Sequence, residues 1–134
     1  MNIIKYDELA EALESFVKKC GNPYNAKVTQ VITKNTEFPV IRIVEIRNTT
    51  NQRANTYIQK VATVGYMVEI YAKNSNKILK SRIARELAQM VDNFMEAQRL
   101  IRMEYSSSDN EQNSICRIVL TYMGTLDEYR NKFI

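Results

Sequence analysis

The segment of residues 61–72 constrains the fold of this chain more than any other. Its sequence, VATVGYMVEIYA, is rich in β-branched and aromatic residues and contains no proline, which is typical of a β-strand. Alternate side chains of a strand point to opposite faces of its sheet, and both alternating sets are largely apolar here. The pattern therefore predicts a central strand, with neighbouring strands on both sides. Gly65 within it predicts a β-bulge or a close approach of another backbone.

Two amphipathic helices and further extended segments surround this strand. Helices are predicted over residues 6–19 and 77–98, because apolar residues recur there at spacings of three and four. Extended segments are predicted over residues 26–33, 40–46, 100–105 and 115–123. Together these elements predict one α+β domain over residues 1–134, with a mostly antiparallel sheet and two helices packed on one face.

The polar segments predict caps and connections. Asp7 is the expected cap of the first helix, and Asn74 or Ser75 that of the second. In the second helix, Leu79 is predicted to lie on the apolar stripe and Lys80 on the opposite, solvated face. Residues 34–37 suit a hairpin connection, residues 47–59 a long loop, and residues 106–114 an exposed, mobile linker.

Charge and hydropathy exclude several classes of protein. Net charge is +4, from 19 basic and 15 acidic residues, and the longest basic run is Lys18-Lys19. A nucleic-acid binder usually gathers its cations into a stripe. No apolar run approaches the roughly 18 residues of a membrane span, and the start of the chain does not resemble a signal peptide. Cys20 and Cys116 are predicted to be buried thiols, with an adventitious disulfide or a reactive thiol as the alternatives.

The residues of common catalytic sites are missing from the sequence. There is no histidine, and the three glycines belong to no phosphate-binding motif. Carboxylate catalysis remains conceivable at Glu69, Asp109 and Glu111, although a strand residue on the wetter face and two solvated loop charges are the more common outcomes. We therefore expect no catalytic site, no cofactor and no metal, and a chain that works by binding other protein subunits.

The central segment also resembles a known family. The block Gly65-Tyr66-Met67-Val68-Glu69-Ile70-Tyr71-Ala72-Lys73 is similar to the central-strand signature of the tail terminator (tail completion) proteins of tailed bacteriophages and phage-tail-like particles. The order of the other elements agrees: an N-terminal helix, a strand opening with Phe38-Pro39, a polar loop, and a long helix after the signature strand. Residues 121–127, TYMGTLD, resemble the family's closing strand and turn.

This resemblance implies a structural role in a virion. Family members form hexameric rings that sit on the last ring of the tail tube, stop its growth and offer a surface to the neck or connector protein. They have no enzymatic activity, and DNA passes through the lumen without specific binding. The implied location is the tail or neck of the virion, assembled in the host cytoplasm, with no membrane.

The long polar loop supplies the candidate partner-binding residues. We expect it to contact a neighbouring ring; a flexible surface loop without a partner is the alternative. Arg47 and Arg53 have a further alternative, the lining of a lumen that DNA crosses, or simply solvated charges. The candidate residues are Arg47, Asn48, Thr50, Asn51, Gln52, Arg53, Asn55 and Tyr57.

Two other functions fit the sequence. A head-completion or other connector protein shares the size and charge balance. A small nucleic-acid-binding regulatory domain is favoured only by a pI of about 9.1 and eight tyrosines, because tyrosine can stack on bases. Against it, Tyr66 and Tyr71 are predicted on opposite faces of their strand, without basic neighbours arranged as a platform.

Overall fold

The apolar alternation of the extended segments builds a sheet, and the two amphipathic segments form helices on one side of it. The computed structural model describes residues 3–20, 24–51, 61–74, 76–110 and 114–134. The α+β class is confirmed, with two helices and a six-stranded, mostly antiparallel sheet in the described residues. In chain order the elements are α1 (Lys5–Lys19), β1 (Lys27–Thr29), β2 (Val40–Asn51), β3 (Val61–Lys73), α2 (Lys77–Ala97), β4 (Ile101–Asn110), β5 (Ile115–Asp127) and β6 (Lys132–Phe133).

The sheet has the strand order β1-β2-β3-β5-β4, with β6 paired to the far end of β5. The predicted central position of β3 is confirmed, because β3 pairs antiparallel with both β2 and β5. The predicted hairpin at residues 34–37 is wrong, since β1 runs parallel to β2 and a hairpin joins only antiparallel strands. β1 is also shorter than predicted. It ends at Thr29, whose hydroxyl group donates a hydrogen bond to the carbonyl oxygen of Val31 and accepts one from its N–H, so that the chain turns out of the sheet.

The hydrophobic core lies between the two helices and one face of the sheet, which we call the covered face. It is defined by the buried residues Ile43, Val68, Ile70, Ile118 and Leu120. Onto it pack apolar residues of both helices, including Leu13, Val17, Leu87 and Val91. The Tyr6 hydroxyl of α1 also donates to the carbonyl oxygen of Ile43 at 2.6 Å. Burial of this apolar surface is the main stabilising contribution to the fold.

The residues at the N-caps of both helices differ from the predicted ones. Asp7 does not cap α1, whose N-cap position is Ile4 with no side-chain hydrogen bond; Asp7 instead accepts from the side chain of Gln30. In α2 the cap is Asn76, whose Oδ1 accepts from the backbone N–H groups of Ile78 and Leu79. At the start of α2 the predicted faces are exchanged: Leu79 is 40% exposed, while Lys80, predicted to be solvated, is only 3% exposed.

Two segments predicted to be irregular begin as strand in the described residues. β2 continues to Asn51, and β4 continues through residues 106–110. The prediction assigned them as irregular because their side chains are polar. A strand paired with a neighbour forms its backbone hydrogen bonds whatever its own side chains are. Both strands carry a bulge, β2 between Glu45 and Arg47 and β4 between Arg102 and Glu104.

Gly65 lies opposite the bulge in β2. It pairs with Arg47 immediately after the register shift. A Cβ at position 65 would lie 2.8 Å from the sulfur of Met123 and 3.1 Å from Cγ1 of Ile46. Glycine at position 65 therefore leaves room for the side chains of Met123 and Ile46. The predicted bulge is confirmed, with its extra residue in β2, whereas the atoms nearest position 65 belong to side chains and not to another backbone.

Candidate functional site

The predicted partner-binding residues divide between a strand and a segment outside the described residues. Arg47, Asn48, Thr50 and Asn51 belong to β2 rather than to a loop, whereas Gln52, Arg53, Asn55 and Tyr57 lie outside the described residues. After the bulge, Asn48 and Thr50 pair with Val64 and Ala62 of the covered face, while the exposed Arg47 pairs with Gly65. The described members therefore do not form one surface.

The opposite side of the sheet, the open face, is a different surface. Among the described residues no helix packs on it, and the apolar side chains at its centre are only half buried. Half-buried members are Val44, Met67, Val119 and Met123, and Ile46 at the bulge is 49% exposed. These residues come from β2, β3 and β5, so they form one contiguous strip across the centre of the sheet. Such a strip is a candidate contact surface for another protein.

A charged cluster occupies one end of the open face. Glu69 on β3 pairs with Arg42 on β2, at 2.9 Å between Oε1 and Nη1, and with Arg117 on β5, at 3.1 Å between Oε2 and Nη2. Arg117 Nε also donates to Glu69 Oε2 at 3.2 Å, so its guanidinium grips the carboxylate with two nitrogens. The Tyr71 hydroxyl donates to Oε2 as well. The cluster thus joins side chains of three adjacent strands.

Glu69 is charged in this setting. Burial raises the pKa of its carboxyl group, but the hydrogen bonds from Tyr71 and Arg117 and the charges of both arginines outweigh that effect, so the pKa lies below its ordinary value. For Tyr71, burial and the hydrogen bond to Glu69 raise the pKa of the phenol, which keeps it neutral. The three charged side chains therefore carry a net charge of +1, from two guanidinium groups and one carboxylate.

A groove opens above this cluster. It has a volume of about 380 Å³ and is lined by Ile32, Phe38, Arg42, Tyr71, Ser108, Ile115 and Arg117. Phe38 meets the Tyr71 ring edge-on at 6.4 Å between centroids, and the Arg117 guanidinium lies 5.8 Å from the centre of the same ring. These aromatic contacts hold the guanidinium and both rings in place. The groove is therefore apolar at its walls and cationic at its floor.

The sequence prediction missed this site in three respects. Glu69 was expected on a wetter face, and it does lie on the open face, but it is only 2% exposed because the arginines and Tyr71 cover it. Tyr71 was expected to lack basic neighbours, yet Arg117 contacts its ring. Arg42 and Arg117 were not singled out at all. Their only sequence signal is a single basic residue inside each apolar strand, VIRIV and ICRIV.

Other polar groups tie the helix α2 to the sheet. Tyr122 donates to Asp92 Oδ1 at 2.8 Å, and Arg102 lies 3.4 Å from the same carboxylate. Asp109, expected to be a solvated charge, instead pairs with the buried Lys80 at 2.5 Å. The third predicted carboxylate, Glu111, lies outside the described residues. Of the two cysteines, Cys116 is buried as predicted and Cys20 is exposed, contrary to the prediction.

The ligand search gives two further findings. Within residues 3–20, 24–51, 61–74, 76–110 and 114–134, no group of three or more Cys, Asp or Glu residues is placed to hold a metal ion. Neither α1 nor α2 is long and apolar enough to cross a membrane, and these are the helices of the described part of the chain.

Comparison with known proteins finds similarity in structure but no match to a protein-family model or a curated protein. A solved structure titled "Virion of native gene transfer agent (GTA) particle" contains a similar chain, with 12% sequence identity, a TM-score of 0.48, and coverage of 88% of each chain. Similarity at this level carries no conclusion about function.

Proposed function

We propose that this chain is a structural subunit of a tailed-phage virion or a phage-tail-like particle, and specifically a tail terminator. In this role it forms a ring, most simply a hexamer, at the head-proximal end of the tail tube. It stops tube growth and provides the surface that joins the tail to the neck. The observation that supports the proposal most directly is the family-like block of residues 65–73, which lies on the central strand β3.

The surfaces of the sheet fit a subunit that assembles. A ring requires two different patches on each subunit, because its contacts are heterologous. The open face supplies one patch, with a half-buried apolar strip and a charged groove. The outer edge of β4 supplies a second, since among the described residues β4 pairs only with β5 and exposes Ile101, Met103 and Tyr105. Exposed strand edges and apolar patches are common sites of subunit contact.

A non-enzymatic role is part of the proposal. Glu69 is the most deeply buried carboxylate of the described residues, and its oxygens already accept hydrogen bonds from Arg42, Arg117 and Tyr71. A general base needs a raised pKa and a free lone pair toward its substrate, and the pKa of Glu69 is shifted in the opposite direction. We therefore assign Glu69 to holding three strands together.

The test is assembly of the purified chain with a cognate tail tube protein. We expect electron micrographs of the mixture to show rings at one end of each tube and tubes of limited length. Sedimentation analysis of the same mixture should show a closed oligomer. A chain that stays monomeric both alone and with tubes would contradict the proposal, whereas a monomer in isolation alone would not, because weak interfaces can require a template.

The contribution of the polar segment between β2 and β3 can be tested separately. Because residues 47–51 belong to β2, the replacement should be confined to residues 52–60, with a Gly-Ser linker. If Gln52, Arg53, Asn55 and Tyr57 contact the adjacent ring, the variant will fold but no longer limit tube length. Normal tube ends would move the contact to the open face or to β4.

Nucleic-acid binding is the second candidate, and the feature that favours it is the contact of Arg117 with the Tyr71 ring in a groove that Arg42 also lines. Real binding would weaken steeply with salt, by roughly 0.9 log units per neutralised phosphate for each log unit of salt. We expect weak retention of DNA that vanishes near physiological salt. Submicromolar affinity at that salt would replace the assembly proposal with this one.

A further inference from the structure

The groove on the open face has the dimensions of a binding site. Its volume of about 380 Å³ lies within the roughly 300–1,000 Å³ of common ligand pockets and accommodates a few side chains. Ile32, Phe38 and Ile115 supply its apolar walls, and the loop carrying Phe38 closes one end. Glu69 lies beneath the two arginines and is not among the lining residues.

The floor of the groove has unused capacity for an anion. Arg42 donates from Nη1 to Glu69 and from Nε to the carbonyl oxygen of Gln30. Arg117 donates from Nε to Glu69 and Tyr71, and from Nη2 to Glu69. Each guanidinium has five N–H donors, and the side chains remain 34% and 43% exposed. Among the described residues, Glu69 is the carboxylate that pairs with either arginine. One further negative charge would balance the cluster.

We infer that this groove binds an extended segment of a neighbouring protein subunit, in which one Asp or Glu side chain stands between apolar residues. The carboxylate meets Arg42 and Arg117, which offer the forked donors suited to it. The flanking apolar side chains pack against Phe38 and Ile115. The inference rests on the proposed function, because it names the chemistry of the partner segment that this subunit takes from its assembly.

A peptide fits the groove better than a nucleic acid does. A phosphodiester would satisfy the arginines but would leave the apolar walls formed by Ile32, Phe38 and Ile115 without a partner. Phosphate binding also gains most of its strength from many cations along a path, and two cations line this groove in the described structure. Burial of apolar surface beside one ion pair is typical of a protein contact.

Ser108 gives a way to block the groove without touching the core. It is exposed, lines the groove and pairs with Arg117 across β4 and β5. Ser108→Glu should place a carboxylate over the arginines and so occupy the site of the incoming anion. Ser107→Glu is the matched control, because Ser107 is also exposed but pairs with Ile118, whose side chain points to the covered face.

The experiment is an NMR titration of the full chain with three probes at physiological salt. They are the capped tripeptide Ac-Ile-Glu-Phe-NH₂, its Gln analogue, and a short single-stranded DNA. We expect the Glu peptide to shift the signals of Arg42, Tyr71 and Arg117. The Gln peptide should bind about tenfold more weakly, since it loses the charge-assisted hydrogen bonds. Ser108→Glu should weaken the Glu peptide by a similar factor, and Ser107→Glu should not.

Three results would overturn the inference: equal binding of the Gln and Glu peptides, no effect of Ser108→Glu, or DNA binding the groove more tightly than the peptide. The tube-capping assay separates this outcome from failure of the proposed function. If the wild-type chain caps tubes but the peptide does not bind, the inference fails alone. If the chain neither forms rings nor caps tubes, the proposed function fails, whatever the peptide does.

Discussion

The two faces of the central sheet share the same strands but differ in burial and in charge. On β3, Val68 and Ile70 of the covered face are fully buried beneath the helices, whereas Met67 and Tyr71 of the open face are half buried. On β5, Ile118 and Leu120 are buried, and the adjacent Arg117 and Val119 are not. One residue along the strand therefore separates a position that stabilises the fold from one that is available to a partner.

This difference in burial indicates which face of the sheet can bind a partner without loss of the core. The covered face must stay apolar and close-packed, because it is the core of the described residues. The open face is stabilised differently, by an ion-pair cluster that reaches across β2, β3 and β5. Substitutions on the two faces should therefore differ in how much they destabilise the fold.

The largest effect is expected on the covered face. Leu87 on α2 is 1% exposed and packs in the core. Leu87→Ala should lower the free energy of unfolding by about 2–5 kcal/mol, because it removes buried methyl groups and leaves a cavity. Urea denaturation measures it. Arg85→Ala, two residues away on an exposed position of the same helix, should stay within about 0.5 kcal/mol; equal losses for both variants would contradict the packing described here.

An intermediate effect is expected at the ion-pair cluster. Glu69→Gln keeps the shape of the side chain but leaves Arg42 and Arg117 without their carboxylate. We expect a loss of about 1–3 kcal/mol near pH 7, which is moderated because both arginines remain partly exposed to water.

The same variant has a pH signature. The folded-state pKa of Glu69 lies below the ordinary value of 4.5. A depressed carboxyl pKa contributes stability that is fully present above the unfolded-state pKa and is lost as pH falls through the folded-state pKa. The stability gap between wild type and Glu69→Gln should thus be constant near neutral pH and shrink below about pH 4.5. A gap that does not change down to pH 3 would show that the ion pairs are not its source.

The smallest effect is expected on the open face, and one substitution made on both faces tests it. Val68→Thr places a hydroxyl group among fully buried apolar side chains and should cost about 1–3 kcal/mol. Val119→Thr, at a half-buried open-face position, should cost less than about 0.5 kcal/mol, because water can reach the hydroxyl. Thermal unfolding of the two variants gives the comparison, and similar costs would mean that the open face is covered after all.

The sequence predicted the elements that carry a strong periodic signal. β3 and α2 were found close to their limits because their apolar patterns are long, and Gly65 was correctly linked to a bulge. The extension of β2 to Asn51 was missed because its polar residues show no apolar alternation. These residues form a strand because they pair with β3, and their own sequence does not show that pairing. Propensity describes a segment, whereas pairing depends on two segments.

The charged cluster could not be found for a related reason. Arg42 and Arg117 lie 27 and 48 residues from Glu69 along the chain, and they meet only through the register of three strands. Reading that register from sequence requires the strand order and both bulges, because a shift of one residue moves a side chain to the opposite face. The parallel pairing of β1 with β2 was also missed. The contact of Phe38 with Tyr71 agrees with the register of β2 on β3, in which Val40 pairs with Tyr71.

The bulge in β4 has a consequence for the tendency of the free protein to aggregate. A flat, unpaired strand edge invites pairing with any extended chain, and proteins avoid this with bulges and charges. Here the register shift between Arg102 and Glu104 twists the outer edge of β4 and places charged residues on both sides of Met103. We therefore expect the free protein to resist edge-to-edge aggregation at high concentration, so that a partner at this edge would contact the exposed apolar side chains of β4 rather than add a strand to it.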